Sequence, residues 1–462
     1  MVHPKLLIIG LDSAAPALVF ERWRSDLPTL AGLMARGAYG PMRSTHPPIT
    51  VPAWTSMMAS RDPGELGFYG FRNRKDHSYD GYAFANSAQV KVPRLWDWLG
   101  KAGLQCVVLG VPQTYPPSPI HGEMVTCFLT PSTKSAYTHP PTLKAEVERV
   151  TGGYVLDVED FRTPDKGSLL RRIYEKTDKH LGLAKHMLRT RSWDFFMLVE
   201  MGVDRIHHGF WSHMDPAHHK YEPGNPFESA ILDYYRHVDR ELGEMLTLCP
   251  PETLVLVISD HGAKKMDGGI CFNEWLRSEG YLTLTTSPTK PTPISSVPID
   301  WARTRAWGDG GYYGRLFMNV RGREPSGTVE PRDYERVRTD LIAGIEAITD
   351  PKGRVIGSKA YRPEDLFRAV NGVAPDLIVY FGDLDWRSVG AVGMGGIHTF
   401  ENDTGPDEAN HDWQGIFVLS TAGGEAPLRG LLPEVSIYDV TPTLLRLLGQ
   451  PVPEGLAGRP LG

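Results

Sequence analysis

Val255-Leu256-Val257-Ile258-Ser259-Asp260-His261-Gly262 is an apolar, largely β-branched run that stops at an acid, a histidine and a glycine. A strand covered on both faces is apolar at nearly every position rather than alternating, and open α/β sheets build their sites at the carboxyl ends of such strands. The run therefore predicts a buried strand that delivers Asp260 and His261 to a sheet edge as metal ligands. Taken alone, the three polar residues also fit a plain Asp-His turn closed by a left-handed glycine.

The arrangement recurs on either side. Residues 5–10 form a short apolar run that ends at Leu11-Asp12-Ser13, so Asp12 is presented in the same way. Another strand is expected at 194–199, leading into Glu200-Met201-Gly202-Val203-Asp204-Arg205-Ile206-His207-His208. Asp204 and His208 stand four residues apart, which places them on one face of a helical turn as a chelating pair. Five histidines fall between His207 and His219 inclusive. His207, His213, His218 and His219 read as solvated or locally bonded, because metal ligands are normally few.

Periodicity predicts a helix over 27–36, an amphipathic helix over 331–350, and helical or inserted material over 140–150 and 166–190. Further strands are expected at 106–110, 315–320, 376–381 and 415–419. The segment 262–269 reads as a flexible loop carrying Lys264 and Lys265, and 285–305, rich in Pro, Ser and Thr, as a loop or insertion. Trp307-Gly308-Asp309-Gly310-Gly311-Tyr312-Tyr313-Gly314 lacks the spacing of a dinucleotide fingerprint.

Composition bounds the function. A chain of 462 residues with 41% hydrophobic and 23% charged residues is ordinary for a soluble globular protein with a sizeable core. A net charge of −6 argues against a general nucleic-acid surface. The first apolar run is too short for a signal-peptide core or a membrane span, so a cytoplasmic protein without membrane attachment is expected. Cys106, Cys127, Cys249 and Cys271 form no C-x-x-C pair and read as reduced, buried thiols.

Around Thr50-Val51-Pro52-Ala53-Trp54 a proline-crowded stretch turns helical. A hydroxyl at that junction sits at a helix N-terminus, where free N–H groups and the dipole favour an anion; the alternative is that Thr50 merely caps the helix. With Ser60-Arg61-Asp62-Pro63-Gly64-Glu65-Leu66-Gly67 behind it, this segment resembles the nucleophile region of the alkaline phosphatase superfamily, in its type I phosphodiesterase/nucleotide pyrophosphatase branch. The D-x-x-x-H of Asp204–His208, the strand end at Asp260-His261 and a late histidine before a core strand, His411, match as well. His398, thirteen residues earlier, competes for that last place.

The resemblance implies a single α/β domain over 1–462, a three-layer α/β/α sandwich around a mixed, mostly parallel sheet, with insertions near 65–100, 130–180 and 285–330. It implies two divalent metal ions, one held by Asp204, His208 and His411 and the other by Asp12, Asp260 and His261, with Thr50 between them as nucleophile and ligand. Mixed carboxylate and imidazole donors suit Zn²⁺, with Mn²⁺ as the alternative. The implied activity is hydrolysis of a small-molecule phosphodiester or nucleotide pyrophosphate. A phosphomonoesterase, a phosphoglycerate-mutase-like phosphotransferase and a non-catalytic metal-binding relative remain open alternatives.

Two departures bear on substrate. The Asn that the branch carries twenty-one residues after its nucleophile is Phe71 here, leaving Asn73, Arg72, Arg74, Lys264 or Lys265 to meet the phosphoryl group. The Arg that other branches carry just after the nucleophile is replaced by Ala53-Trp54. Phe68, Tyr69 and Phe71 either offer apolar surface to a diester's second substituent or pack the core.

Overall fold

In the computed structural model, which describes residues 4–462, the two leading apolar runs lie side by side. Leu6–Leu11 is parallel to Leu254–Ile258 on one side and to Phe195–Glu200 on the other. In register, Gly10 faces both Ile258 and Val199. The three strands therefore end together, and whatever follows each of them emerges at one edge.

The full ten-stranded sheet runs Gly430–Leu431, Ala38–Arg43, Gln414–Thr421, Leu254–Ile258, Leu6–Leu11, Phe195–Glu200, Cys106–Leu109, Gly122–Val125, Thr138–His139, with Val435–Ser436 also on Ala38–Arg43. Its centre is parallel, whereas Gln414–Thr421 is antiparallel to both neighbours. Alternate residues of the central strands enter different cores. Leu7, Ile9 and Leu11 pack with helices Pro28–Arg36, Lys166–Thr190, Gly202–Met214 and Ala230–Leu246, and Leu6 and Ile8 pack with Thr50–Ala59, Leu95–Lys101 and Val440–Leu447. This is a three-layer α/β/α sandwich, and the double burial explains why the strands are apolar at every position.

A second, antiparallel sheet of four strands, Ala306–Asp309, Gly314–Met318, Leu377–Tyr380 and Lys359–Tyr361, packs with helix Tyr334–Glu346 around its own core, which includes Trp275, Trp307, Phe317 and Leu341. One segment departs from its sequence reading, and one strand appears where none was expected. The expected loop at 262–269 contains Gly262–Lys265, antiparallel to Ala409–Asp412, and the start of Gly268–Cys271, parallel to Trp386–Val389. Ala38–Arg43 is a strand despite Gly40 and Pro41. The four cysteines are buried free thiols, and among the described residues no helix is long and apolar enough to cross a membrane.

Gly10 is fixed by close approach. A Cβ there would lie 2.5 Å from the Trp54 ring and 2.9 Å from Val199. Trp54, fully buried, donates its indole N–H to Asp12 Oδ2 at 2.7 Å, so overpacking at Gly10 disturbs the sheet edge as well as the core. Gly10→Ala should lower stability by about 1–3 kcal/mol, the usual cost of overpacking a rigid core. Chemical denaturation of the variant against the parent protein checks this.

Candidate active site

Each site residue is placed by the element that precedes it. Asp12 follows Leu11 directly, and Asp260 lies two residues beyond Ile258. Helix Gly202–Met214 starts two residues after Phe195–Glu200 and sets His208 Nε2 3.2 Å from Asp204 Oδ1. His411 arrives on Ala409–Asp412, whose pairing of His411 with Ala263 stacks its ring on that of His261, centroids 3.8 Å apart and 16° from parallel. Thr50 is the first residue of Thr50–Ala59; the cap position belongs to Ile49, so the hydroxyl does not cap the helix. Its Oγ1 stands 3.4 Å from His261 Nε2. All seven residues, from Asp12 to His411, are at most 2% exposed.

The donor set fits metal ions. Among the described residues Asp12 Oδ1, Asp204 Oδ1, Asp260 Oδ2 and His208 Nε2 are buried without a partner in hydrogen-bond geometry, although His208 Nε2 and Asp204 Oδ1 face each other as an ion pair. The three histidines turn their Nδ1 atoms to acceptors: His261 to Gly262 O at 3.0 Å, His411 to Pro48 O at 2.9 Å and His208 to Asp407 Oδ1 at 2.7 Å. With the proton on Nδ1, a neutral ring so placed presents its Nε2 lone pair inward, the form in which imidazole binds a metal; His261 and His411 are neutral already, and His208 takes this form on losing a proton. Asp12, Asp260 and His261 form one group with donor atoms within 4.8 Å of one another, and Asp204, His261 and His411 form another. His261 thus reaches both groups, and His208 flanks the second through Asp204.

The electrostatics point the same way. Burial, then repulsion from Asp204, raises the Asp12 carboxyl well above its ordinary value, and burial followed by Asp12 does the same to Asp260. Burial lowers His261 to about 4 and, with His261 beside it, carries His411 well below its ordinary value, so both stay neutral. Burial also opposes charge on Asp204 and His208, but here it is outweighed. His208 and Arg205 hold Asp204 low, and Asp407 and Asp204 raise His208 to about 9. Carboxylates crowded in a dry pocket are costly unless a cation neutralises them, and a divalent ion displacing the His208 proton would do so.

The residues that support this set escaped the sequence reading. Asp407 holds His208 and is itself held by Arg162 Nε at 3.0 Å, Arg387 Nη1 at 2.9 Å and the Tyr312 hydroxyl at 3.1 Å. Burial resists the Asp407 charge, but His208, Arg162 and Arg387 keep it well below the usual carboxylate range. Tyr312 stacks on His411 and His208, with centroids 4.2 and 4.8 Å away. Arg205 donates to Asp204 Oδ2.

Other candidates are engaged elsewhere. Asn73 accepts from Tyr69 N and donates to Gly70 O. Lys264 pairs with Asp385 and Lys265 with Asp267. His207 lies between Tyr235 and Ser13, and His398 Nε2 meets Thr349 O at 2.6 Å. Phe68 and Tyr69 are buried, leaving Phe71 partly accessible.

Carboxylates and imidazoles gathered beside a hydroxyl at the carboxyl edge of an α/β sheet are a donor set of the kind that metal-assisted hydrolysis requires. The chain belongs to the type I phosphodiesterase/nucleotide pyrophosphatase family, whose model matches residues 6–413, and it is accordingly a phosphoric ester hydrolase of the phosphodiesterase kind. No curated protein matches it by sequence. Among solved structures, human ectonucleotide pyrophosphatase/phosphodiesterase 5 is similar in fold, with a TM-score of 0.56 and 12% identity over 97% of this chain and 96% of that one. The murine protein of the same name, in an inactive form in complex with AMP, matches with the same values.

Because Asp407 sets the tautomer and orientation of His208, Asp407→Asn should weaken divalent-metal retention roughly 10–100-fold while the fold is kept. Competition against a chelator, with circular dichroism as the control for folding, measures this.

Proposed function

We propose that the protein hydrolyses phosphodiesters, nucleotide esters among them, with Thr50 as the nucleophile at a two-metal centre. The observation that carries this reading is the Thr50 hydroxyl, buried at a helix start, 3.4 Å from His261 and facing a set of carboxylate and imidazole atoms that lack partners. Asp12, Asp260 and His261 would hold one ion and Asp204, His208 and His411 the other, Zn²⁺ or Mn²⁺ by the mixed donor set. When bound, such ions supply a lowered hydroxyl pKa and neutralise charge on the phosphoryl oxygens.

The chain's own residues do the rest. Thr50 Oγ1 forms the bond to phosphorus as the bond to the departing alcohol breaks, and water then cleaves the phosphothreonine. Free N–H groups at the start of Thr50–Ala59 face the phosphoryl group and favour its negative charge. The AMP bound by the murine relative makes a nucleotide the first substrate to try.

Protein purified exhaustively should carry about two transition-metal ions per chain by elemental analysis. Thr50→Ala should abolish turnover with metal content nearly intact, and Thr50→Ser should retain part of the activity. A Thr50→Ala rate above about a tenth of the parent's, a barrier change under roughly 1.4 kcal/mol, would instead make water the direct nucleophile.

The diester preference has its own support. A monoester dianion carries charge on three non-bridging oxygens, and efficient monoesterases set a fixed cation against the third. Ala53-Trp54 stand where other branches place that Arg, and the ammonium groups of Lys264 and Lys265 are tied to Asp385 and Asp267. At equal metal loading, kcat/KM for bis(p-nitrophenyl) phosphate should exceed that for p-nitrophenyl phosphate; the reverse order refutes the preference.

A further inference from the structure

His208 has two sides. Its Nε2 faces Asp204 and its Nδ1 faces Asp407, and beyond Asp407 lies a cleft lined by His218, Lys220, Met266, Arg387 and Asn402. Three buried N–H groups of this lining have no partner among the described residues: His218 Nε2, Arg387 Nε and Asn402 Nδ2. The polarity of each is set by its other bonds. The Lys220 main-chain N–H donates to His218 Nδ1 at 3.1 Å, which leaves the proton of the neutral ring on Nε2. Burial, with His219 next to it, lowers His218 to about 4 and keeps it neutral.

Arg387 bonds Asp407 through Nη1 and Thr404 Oγ1 through Nη2 at 3.1 Å, whereas its Nε atom makes no bond at all among the described residues. The Asn402 carbonyl accepts from the main chain and hydroxyl of Thr404, both at 3.4 Å, which identifies the free end as the amide nitrogen. The acidic groups on the wall are already engaged. Asp407 serves His208, Arg162, Arg387 and Tyr312, and Glu401 pairs with Lys220 at 3.0 Å. His218 and Arg387 are each 5% exposed, and a buried donor left unpaired costs about 1–3 kcal/mol.

We propose that this cleft binds a small oxyanion, a phosphoryl or carboxylate group, through His218 Nε2, Arg387 Nε and Asn402 Nδ2. Unused donors without matching free acceptors select a ligand that only accepts, and the Arg387 Nε–H offers it a charge-assisted bond. Arg387 also holds Asp407, which holds His208, so an occupant that draws on Arg387 is felt at the metal-ligand side of the imidazole. The oxyanion is either a remote acidic group of the substrate or a free anion.

The test uses metal-loaded protein and inorganic phosphate, titrated by calorimetry at constant ionic strength in chloride. The parent should bind phosphate in two classes, one at the Asp/His cluster and one in the cleft. His218→Phe and Asn402→Leu should each weaken the second class tenfold or more, with thermal melts and bis(p-nitrophenyl) phosphate turnover, measured without phosphate, near the parent's. Asn402→Asp, equal in size but repelling an anion, should weaken it further.

If the oxyanion belongs to substrate, both variants raise KM for a nucleoside diphosphate ester about tenfold with kcat little changed. If it is free, phosphate changes parent turnover non-competitively and the variants lose that response. A single class of phosphate site in the parent, or a second class unaltered in the variants, overturns the proposal. Thr50→Ala protein must keep the cleft class, so a failure of the nucleophile assignment leaves this result readable on its own.

Discussion

Three carboxylates, Asp12, Asp204 and Asp260, are gathered at one sheet edge with at most 2% of each exposed, and this constraint organises the molecule around it. Like charges in a low dielectric repel strongly, so the arrangement persists only because rigid elements impose it. The common register of three parallel strands brings Asp12 and Asp260 to one edge and starts the Asp204 helix beside them. Trp54 and Ser13 N–H groups each satisfy one oxygen of Asp12 and Asp260, and Arg205 satisfies one of Asp204. What remains unsatisfied is one inward-facing oxygen on each acid.

Two large apolar cores, one on each face of the sheet, supply the stability that such a pocket draws on. The supports of His208 come from widely separated parts of the chain. Tyr312 lies at a turn of the second sheet, Arg387 on Trp386–Val389, Arg162 ahead of Lys166–Thr190, and Asp407 just before Ala409–Asp412. Asp407 and Tyr312 touch the imidazole and the two arginines act on it through Asp407, so the small sheet contributes to the site through packing and hydrogen bonding.

How much of this could be read in the sequence follows from what is local. The runs ending at Asp12 and Asp260 were legible because strands buried on both faces are apolar throughout, and Asp204 and His208 because a helix brings residues four apart onto one face. Ala38–Arg43 was not, since Gly40 and Pro41 look like punctuation; Gly40 sits in the strand because Leu432 O would lie 2.8 Å from a Cβ there. Gly262–Lys265 was mistaken for a loop because a two-lysine segment shows no apolar pattern, and its partner strand lies far along the chain. Asp407 stood in view four residues before His411, but its bond spans 199 residues to His208 and no spacing rule reports that.

The pairing of Gly262–Lys265 with Ala409–Asp412 bears on how the site comes into being. It is the ladder that seats His411 on His261, and it closes a loop of well over a hundred residues that includes the entire second sheet. Contacts of such long range form late, because their chain entropy must be met before they return any stability. A nascent chain can order the ends of its first parallel strands early, yet it holds an incomplete donor set until the residues around 411 have docked. An ion that needs donors from both ends of this loop would therefore bind only after the chain has finished folding.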